Sequence, residues 1–493
     1  MSEAPKSTAP TLVRGLGSLD ATMIVVGSMI GSGIFITSAE SARLVGAPGW
    51  LLMAWALAGL LTITGALCCA ELAAMMPRAG GQYVFLREAY GPATGFLFGW
   101  SLFLVIQTGT IAAVAVAFAR FLGVLWPTIS ERNYLINPVH VGGGYAMSLS
   151  TAQLIAVLLI LFLTLTNTSG LKTGKFIQNT FTFTKTAALA GLILAGLFLG
   201  WNSLSAAHTS FWWNSAANGW NPQVAQPGLQ AVGALALVML LGRAMTGPLF
   251  AQSAWNNVTF AGGEIRDPGR TLPRALLTGC SVVVGLYLLA NLAYVVTLPL
   301  SVIQAPPNSV ATATMQVALG PAGTALMAIA IMISTFGCNN GLILAGARVY
   351  YAMAQDRLFF ASVGKLNKRN VPAVALVIQG IWASLLTLPR TVTTDSAGST
   401  TYGNVYTQLL EYIIPADLVF YVLMVGAVIV MRRKAPNVER PYRTFGYPVV
   451  PGIYILLASL LTFDLVYLAP RTSGIGFLLV LAGLVAYLLW RRR

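Results

Sequence analysis

Long uninterrupted apolar stretches alternate with short polar segments along this chain, without the period-two alternation of a half-buried strand. Stretches of spanning length fall near residues 20–45, 48–75, 94–124, 152–169, 177–200, 230–258, 275–298, 322–353, 372–390, 405–431, 448–469 and 473–490. A helix crosses a bilayer with about 20 apolar residues, so the pattern predicts an all-α polytopic membrane protein with twelve transmembrane helices. A barrel would need alternating polarity, and an open sheet leaves backbone groups unsatisfied in lipid, so only helices fit. The first 18 residues are polar, with no short apolar core followed by a small-residue cleavage site. The first apolar run is therefore read as a retained span.

Two of the runs are interrupted. In the first, Gly27-Ser28-Met29-Ile30-Gly31-Ser32-Gly33-Ile34-Phe35 places five small residues in mid-span. Among 493 residues with 49 glycines, a Gly-x-Gly triplet arises about five times by chance, so its midpoint position carries the signal. Close helix packing is one reading. The other is local unwinding, with freed N–H groups at the start of a second half-helix available to an anion. The sixth run carries a second interruption, Gly242 to Asn257, with Gly, Pro, Gln, Ser and Asn inside it. First and sixth runs are equivalent members of two five-helix repeats, and transporter sites form where discontinuous helices of two halves meet. The expected organisation is a cytoplasmic segment 1–19, repeats 20–200 and 230–431, helices 11 and 12 at 448–490, and a cytoplasmic end 491–493.

Composition sharpens the class. Of the 493 residues, 56% are hydrophobic and 9% charged, against about 25% charged in soluble domains, which excludes an ordinary soluble protein. The net charge of +15 raises the question of nucleic acid, yet no polar domain carries clustered basic residues, so none is expected as a partner. With loops assigned alternately to two sides, 21 Lys and Arg fall on the side of both termini, five on the other, and Lys185, Arg243 and Arg348 lie inside spans. By the positive-inside rule both termini are cytoplasmic in a cell (inner) membrane, with attraction to membrane lipid headgroups. Cys68, Cys69, Cys280 and Cys338 lie in or beside apolar runs without a CxxC, so no disulfide framework and no metal site is expected. His140 and His208 fall in the two longest outward loops, 125–150 and 201–229, as solvated residues. Without a His, Cys or carboxylate constellation in the spans, neither an enzyme nor a cofactor is expected.

The run Gly27 to Phe35, then Glu71-Leu72 through Pro77, Gly80-Gly81-Gln82-Tyr83 and Glu88-Ala89-Tyr90-Gly91-Pro92, resembles the opening of the amino acid, polyamine and organocation transporter superfamily. Trp255-Asn256-Asn257, Gly263 to Pro268, Thr271 to Ala275, Phe336 to Gly341 and Pro436 to Pro441 are similar to its L-type amino acid transporter branch. The similarity runs from about residue 15 to 470. It implies a LeuT-like 5+5 inverted repeat with helices 1 and 6 unwound at the midplane, and sodium-independent amino acid transport, often by exchange.

A zwitterion buried without partners is expensive, and a broken helix pair serves both of its charges. The resemblance implies that N–H groups of Gly31, Ser32 and Gly33, with the Ser32 hydroxyl, hold the substrate carboxylate, while carbonyls of Met29, Ile30, Phe250 and Ser253 take the ammonium. Phe250 is expected to close over the substrate, beside a side-chain pocket of Gln252, Ala254, Asn256, Gln107 and Thr108. Human family members carry Arg-Pro in place of Gln107-Thr108 and Tyr in place of Gln252, so substrate preference does not transfer. No Asp or Glu sits in either break, which argues against a cationic substrate. Lys185 in helix 5 is expected to stand where a sodium ion sits in sodium-coupled relatives, near carbonyls of Gly27 and Ser28 and a hydroxyl of Ser334 or Thr335, and could itself lose a proton.

Glu71 and Arg348 lie near inner helix ends, either as a gate ion pair or as snorkelling side chains, and Arg243, Asp417 and Asp464 have no role assigned. Residues 125–150 hold no cysteine, so a disulfide-linked heavy-chain subunit is not expected. The sequence thus points to an alternating-access exchanger of neutral L-amino acids. A proton-coupled importer or a carrier of polyamines or cationic amino acids is the alternative. A nutrient sensor is more remote, since the inner tails and loops are too short for a signalling appendage, and a channel would want rings of equivalent residues.

Overall fold

A computed structural model describes residues 14–491 except residue 143, residues 306–308, residues 395–399 and residue 404. Lys6, Arg492 and Arg493, counted above for topology, lie outside the described residues. The first apolar run forms α1 (Ser18–Met29), α2 (Gly33–Ile36) and α3 (Ser38–Val45), followed by α4 (Pro48–Met75) and the short α5 (Gln82–Tyr90). Next, α6 (Pro92–Ser101) passes through a π-helical turn, Leu102–Ile106, into α7 (Gln107–Leu125), followed by α8 (Thr151–Asn167) and α9 (Leu171–Phe198). After the small α10 (Pro222–Ala225), the sixth run gives α11 (Gly233–Ala244), α12 (Thr246–Ala251) and α13 (Asn257–Phe260). The chain continues as α14 (Pro268–Thr297), α15 (Leu300–Gln304), α16 (Val310–Gln355), α17 (Ala373–Leu385), α18 (Val405–Lys434), α19 (Val449–Leu468) and α20 (Pro470–Arg491).

Among the described residues nine helical segments are long and apolar enough to cross a membrane, and three shorter apolar helices, Thr151–Asn167, Ala373–Leu385 and Gly476–Trp490, stand at the other runs. The protein is a polytopic helical membrane protein. Two of the boundary differences from the sequence pattern change the picture. The run 372–390 ends as a helix at Leu385, after 13 residues, which at 1.5 Å per residue is about 20 Å, short of a hydrocarbon core of about 30 Å. The chain then turns into a strand. The helix of the eighth run begins earlier than residue 322, at Val310, with a break at Gly320 (φ +67°) ahead of Pro321.

That strand belongs to a sheet absent from the apolar pattern. β1 (Tyr134–Gly142), β2 (Tyr145–Ser150), β3 (Pro389–Thr394) and β4 (Thr400–Tyr402) pair antiparallel in the order β1-β2-β3-β4. Gln153 ties it to the helices, its Nε2 donating to the Thr387 carbonyl at 2.7 Å. In β1, Pro138 and register shifts between Ile136 and Val139 break the alternation that would have marked a strand.

The side carrying the termini is tied shut. Leu16 N–H donates to the Glu264 carbonyl (3.0 Å) and Arg266 N–H to that of Leu16 (2.9 Å). Glu264 takes both prongs of buried Arg348, at 2.8 and 3.1 Å. Glu71 accepts from Arg432 at 2.8 and 2.7 Å and from Thr444 N–H at 2.7 Å, with Arg440 3.5 Å away. Glu71 and Arg348 therefore sit in two separate ion pairs, and neither snorkels. Gly81 adopts φ +44° under the sixth-run helix, where a Cβ would lie 2.6 Å from the Thr259 carbonyl carbon. Beside it, Gly80 N–H reaches the Phe260 carbonyl at 3.0 Å.

Removing one partner of a buried ion pair leaves an uncompensated charge. Glu264→Ala is expected to cost about 3–5 kcal/mol, and Glu264→Met with Arg348→Leu far less. The melting temperatures of the detergent-purified variants check this, and equal losses for the single and double variants would contradict it.

Candidate functional site

The first interruption lies between α1 and α2. The helix leaves its path at Ile30 (ψ 89°), then resumes at Gly33 and runs on through Thr37 into α3, with Thr37 N–H on the Gly33 carbonyl at 2.9 Å. Unwinding strands the carbonyls before the break, and side chains from three other helices meet them. Buried Lys185 on α9 donates through Nζ to the Gly27 carbonyl. Cys338 Sγ on α16 approaches the Ser28 carbonyl at 3.3 Å, and the Tyr287 hydroxyl on α14 donates to Met29 at 2.9 Å. Ser334 Oγ, also on α16, reaches the carbonyls of Ile30 (3.2 Å) and Gly31 (3.1 Å).

The second interruption follows α12. Gln252 to Asn256 are irregular, with Ala254 at φ +64°, a left-handed conformation that costs a non-glycine residue about 1–3 kcal/mol. Ser253 folds back on the Phe250 carbonyl through its N–H (3.1 Å) and its hydroxyl (2.8 Å). Asn256 donates to Gln82 Oε1 at 2.6 Å and accepts from the Tyr421 hydroxyl at 3.3 Å. Gln252 donates to the Trp55 carbonyl at 3.3 Å, while its buried Oε1 has no partner among the described residues.

The two interruptions touch. A Cβ at Gly33 would stand 2.5 Å from the Ala251 Cβ and 2.7 Å from its Cα, so α2 packs directly on the end of α12. Tyr406 on α18 bridges them, with its hydroxyl 3.1 Å from Ser32 Oγ and its ring edge-on to Phe250 at 6.0 Å. Above Tyr406 lies a cavity of about 300 Å³, lined among others by Thr37, Gly247, Arg120, Arg243 and Glu411, on the side away from the termini.

The expected residues are thus partly assembled. Gln107, Ala254 and Asn256 line one small cavity beside the second break, with Gln107 also donating to the Leu342 carbonyl at 2.8 Å. Thr108 bonds within its own helix, to Phe103 across the π-helical turn at 2.6 Å. Lys185 meets Gly27, while Ser334 serves Ile30 and Gly31, and Thr335 bonds back to Ile331 at 2.8 Å. The Ser28 hydroxyl has no partner among the described residues. Arg243 pairs with Glu411 at 3.5 Å, and a Cβ at Gly242 would strike Asp464 Oδ2. Tyr287, Tyr406 and Cys338 were not foreseen. They come from distant helices, and no local motif marks them. All four cysteines are free and buried. On the terminal side Tyr83 donates to Asp356 Oδ2 at 2.8 Å, and burial with this carboxylate pushes its phenol above the ordinary range.

Gly33 is needed by the contact between the two breaks, whether or not anything is bound. Gly33→Ala forces α2 and Ala251 apart and is expected to lower transport more than about tenfold, with Gly33→Val more severe. Uptake by membrane-inserted protein checks this, and near-normal rates for Gly33→Val would overturn the packing argument.

A description of the amino acid permease family matches residues 16–489. The chain is 30% identical over 480 residues to the mouse large neutral amino acids transporter small subunit 2, covering 97% of this chain and 81% of that protein. It is 29% identical over 497 residues to the human b(0,+)-type amino acid transporter 1 (99% and 90%). Similarity to the serine/threonine exchanger SteT of Bacillus subtilis is 28% over 493 residues, 98% of each chain. The match extends across both interrupted helices and the ion-paired side beneath them, and the chain belongs to the amino acid permease family.

Proposed function

We propose that this chain exchanges neutral L-amino acids across a cell membrane, without sodium, by alternating access around the two helix interruptions. The observation that carries the reading is the contact of two interrupted helices at Gly33 and Ala251, which brings irregular backbone from both to one place. The names of the relatives agree with it: transporters of amino acids and an exchanger. We further read the chain as twelve spans in a LeuT-like arrangement, with repeats 20–200 and 230–431, helices 11 and 12 at 448–490, and both termini cytoplasmic. The large cavity then faces outward and the ion-paired side inward. No disulfide-linked second subunit forms part of this reading.

In this reading the N–H groups of Gly31, Ser32 and Gly33 and the Ser32 hydroxyl take the carboxylate, at the positive end of a half-helix. Carbonyls of Met29, Ile30, Phe250 and Ser253 take the ammonium. Met29, Ile30 and Phe250 already accept one bond or more, and a carbonyl has two lone pairs, so the ammonium competes with or joins the present donors. Phe250 and Tyr406 roof the substrate, and opening them to the cavity above admits it. Gln252, Ala254, Asn256, Gln107 and Thr108 meet its side chain. The orphaned Gln252 Oε1 and Asn257 Nδ2 support a polar occupant there. Lys185, against the Gly27 carbonyl, supplies in this reading the positive charge of a sodium-site surrogate completed by Ser28, Ser334 and Thr335, so no metal ion is needed.

Uptake of labelled amino acid into proteoliposomes, with and without internal amino acid, tests exchange. Replacing sodium by choline is expected to leave the rate unchanged, and a tenfold loss would end the sodium-independent reading. Lys185→Ala unpairs the Gly27 carbonyl, at about 1–3 kcal/mol, and loosens the half-helix presenting Gly31 to Gly33. A fall of at least tenfold with normal insertion is expected. A rate within about twofold of wild type, roughly 0.4 kcal/mol in barrier, would remove Lys185 from the mechanism.

A further inference from the structure

Asp417 is a carboxyl that nothing above uses. It lies on α18, two residues after Pro415, and is 6% exposed. Two small cavities flank it, one toward α4 and α19 and one toward α7, and both are lined by Asp417, Tyr421 and Ser253 of the second helix interruption. Each has room for about 20 Å³, enough to hold a water and too little for an extended cationic side chain. Asp417 makes no salt bridge among the described residues. The titratable groups facing it are Tyr421 on its own helix and Tyr454 on α19, with Cys69 of α4 beyond them. The other polar neighbours, among them Thr62, Gln107, Gln252 and Asn256, carry no charge and do not titrate.

An ionised carboxylate inside a membrane needs a counter-charge, and among the described residues no cation pairs with this one. Tyr421 joins it to the working parts, because the Tyr421 hydroxyl donates to Asn256 and Asn256 donates to Gln82 on the terminal side. Its ring stacks on Trp255 of the interruption at 5.2 Å. Any rearrangement of Ser253 to Asn256 therefore reshapes both cavities beside Asp417.

We propose that Asp417 is a proton-binding site coupled to the substrate site, taking a proton from cavity water on one side and releasing it to water on the other as the second helix interruption rearranges. The proton adds to a carboxylate oxygen and leaves from it, and no bond to the amino acid forms or breaks. This inference rests on the transport reading above and adds a second transported species to it. The sign follows from co-transport: an acidic outside fills the site and speeds inward transport.

The test uses the full chain in proteoliposomes holding a pH-sensitive dye, with labelled amino acid added outside. Wild-type uptake is expected to acidify the lumen and to rise as external pH falls, by up to about tenfold per pH unit, the limit for one titrating group. Asp417→Asn is expected to lose the acidification and the pH dependence together, and Asp417→Glu, which restores a titrating group, to regain both. Wild-type exchange without any dye response overturns the proton site whatever the variants do, and leaves the exchange reading standing. Acidification without exchange does the reverse. Acidification that persists in Asp417→Asn overturns the proposal. So does lysine competition that Asp417→Asn abolishes without a change in proton movement, because Asp417 would then be a counter-ion for substrate.

Discussion

An interrupted helix in a membrane leaves carbonyls that water cannot reach, and each must find a donor from elsewhere in the protein. In this chain five consecutive carbonyls, Gly27 to Gly31, are met by Lys185, Cys338, Tyr287 and Ser334 from three other helices. Much of the packing around the first helix answers that demand. A Cβ at Gly27 would lie 2.1 Å from Gln178 Nε2, and one at Gly337 2.5 Å from the Phe181 Cβ, so α1, α9 and α16 approach at glycines. Close approach of this kind is how membrane helices associate without a hydrophobic driving force. It also brings short donors such as serine and cysteine within reach of a neighbouring backbone.

The charged residues are arranged by a related logic. Glu264 with Arg348, and Glu71 with Arg432 and Arg440, are buried on the terminal side, each carboxylate taking a two-pronged arginine. Such pairs contribute little net stability but are expensive to separate singly, which suits contacts that open together or not at all. Glu264 also holds the segment at Leu16 through its backbone carbonyl, so the chain entering the first helix and the chain leaving the sixth-run helix are tied at one point. On the opposite side, the Arg43 and Glu40 pair and the Arg243 and Glu411 pair are partly exposed and line the large cavity. Their separation costs about 0–1 kcal/mol in water. The fold is thus firmly latched on one side and lightly on the other.

How far this was legible in the sequence follows from the range of each interaction. Both interruptions were visible, because small and polar residues inside an apolar run are a local signal. Lys185 was visible because an intramembrane lysine has few places to go, and the structure sets its Nζ on the Gly27 carbonyl. The partners of Glu71 and Arg348 were not, since pairing depends on which helix ends converge in space. Nor were Tyr287, Tyr406 and Cys338, which look like ordinary apolar-helix residues until the carbonyls they serve are known. The sheet escaped because Tyr134 to Gly142 reads as loop once Pro138 breaks its alternation, and because β3, Pro389 to Thr394, begins only where the ninth apolar run ends. Asp417 stood in plain view without a partner. Only the packing of α18 against Ser253 gives it a neighbourhood.

The two interruptions are unequally finished. Around the first, every carbonyl from Gly27 to Gly31 has a donor, and the Ser28 hydroxyl is left without a partner among the described residues. Around the second, Thr246 Oγ1, Gln252 Oε1 and Asn257 Nδ2 are buried without partners among the described residues, and Ala254 holds a left-handed backbone. Each unmet buried polar atom costs about 1–3 kcal/mol, so the second interruption has the most to gain from a polar occupant or from rearranging. The first, fixed to α9, α14 and α16, has the most to lose. Gly33 against Ala251 joins the two, which lets a change in the second be felt at the N–H groups of the first without unmaking the bonds that hold it. A stable half that presents the backbone and a less satisfied half that adjusts to it divide the work of binding and of movement between two helices.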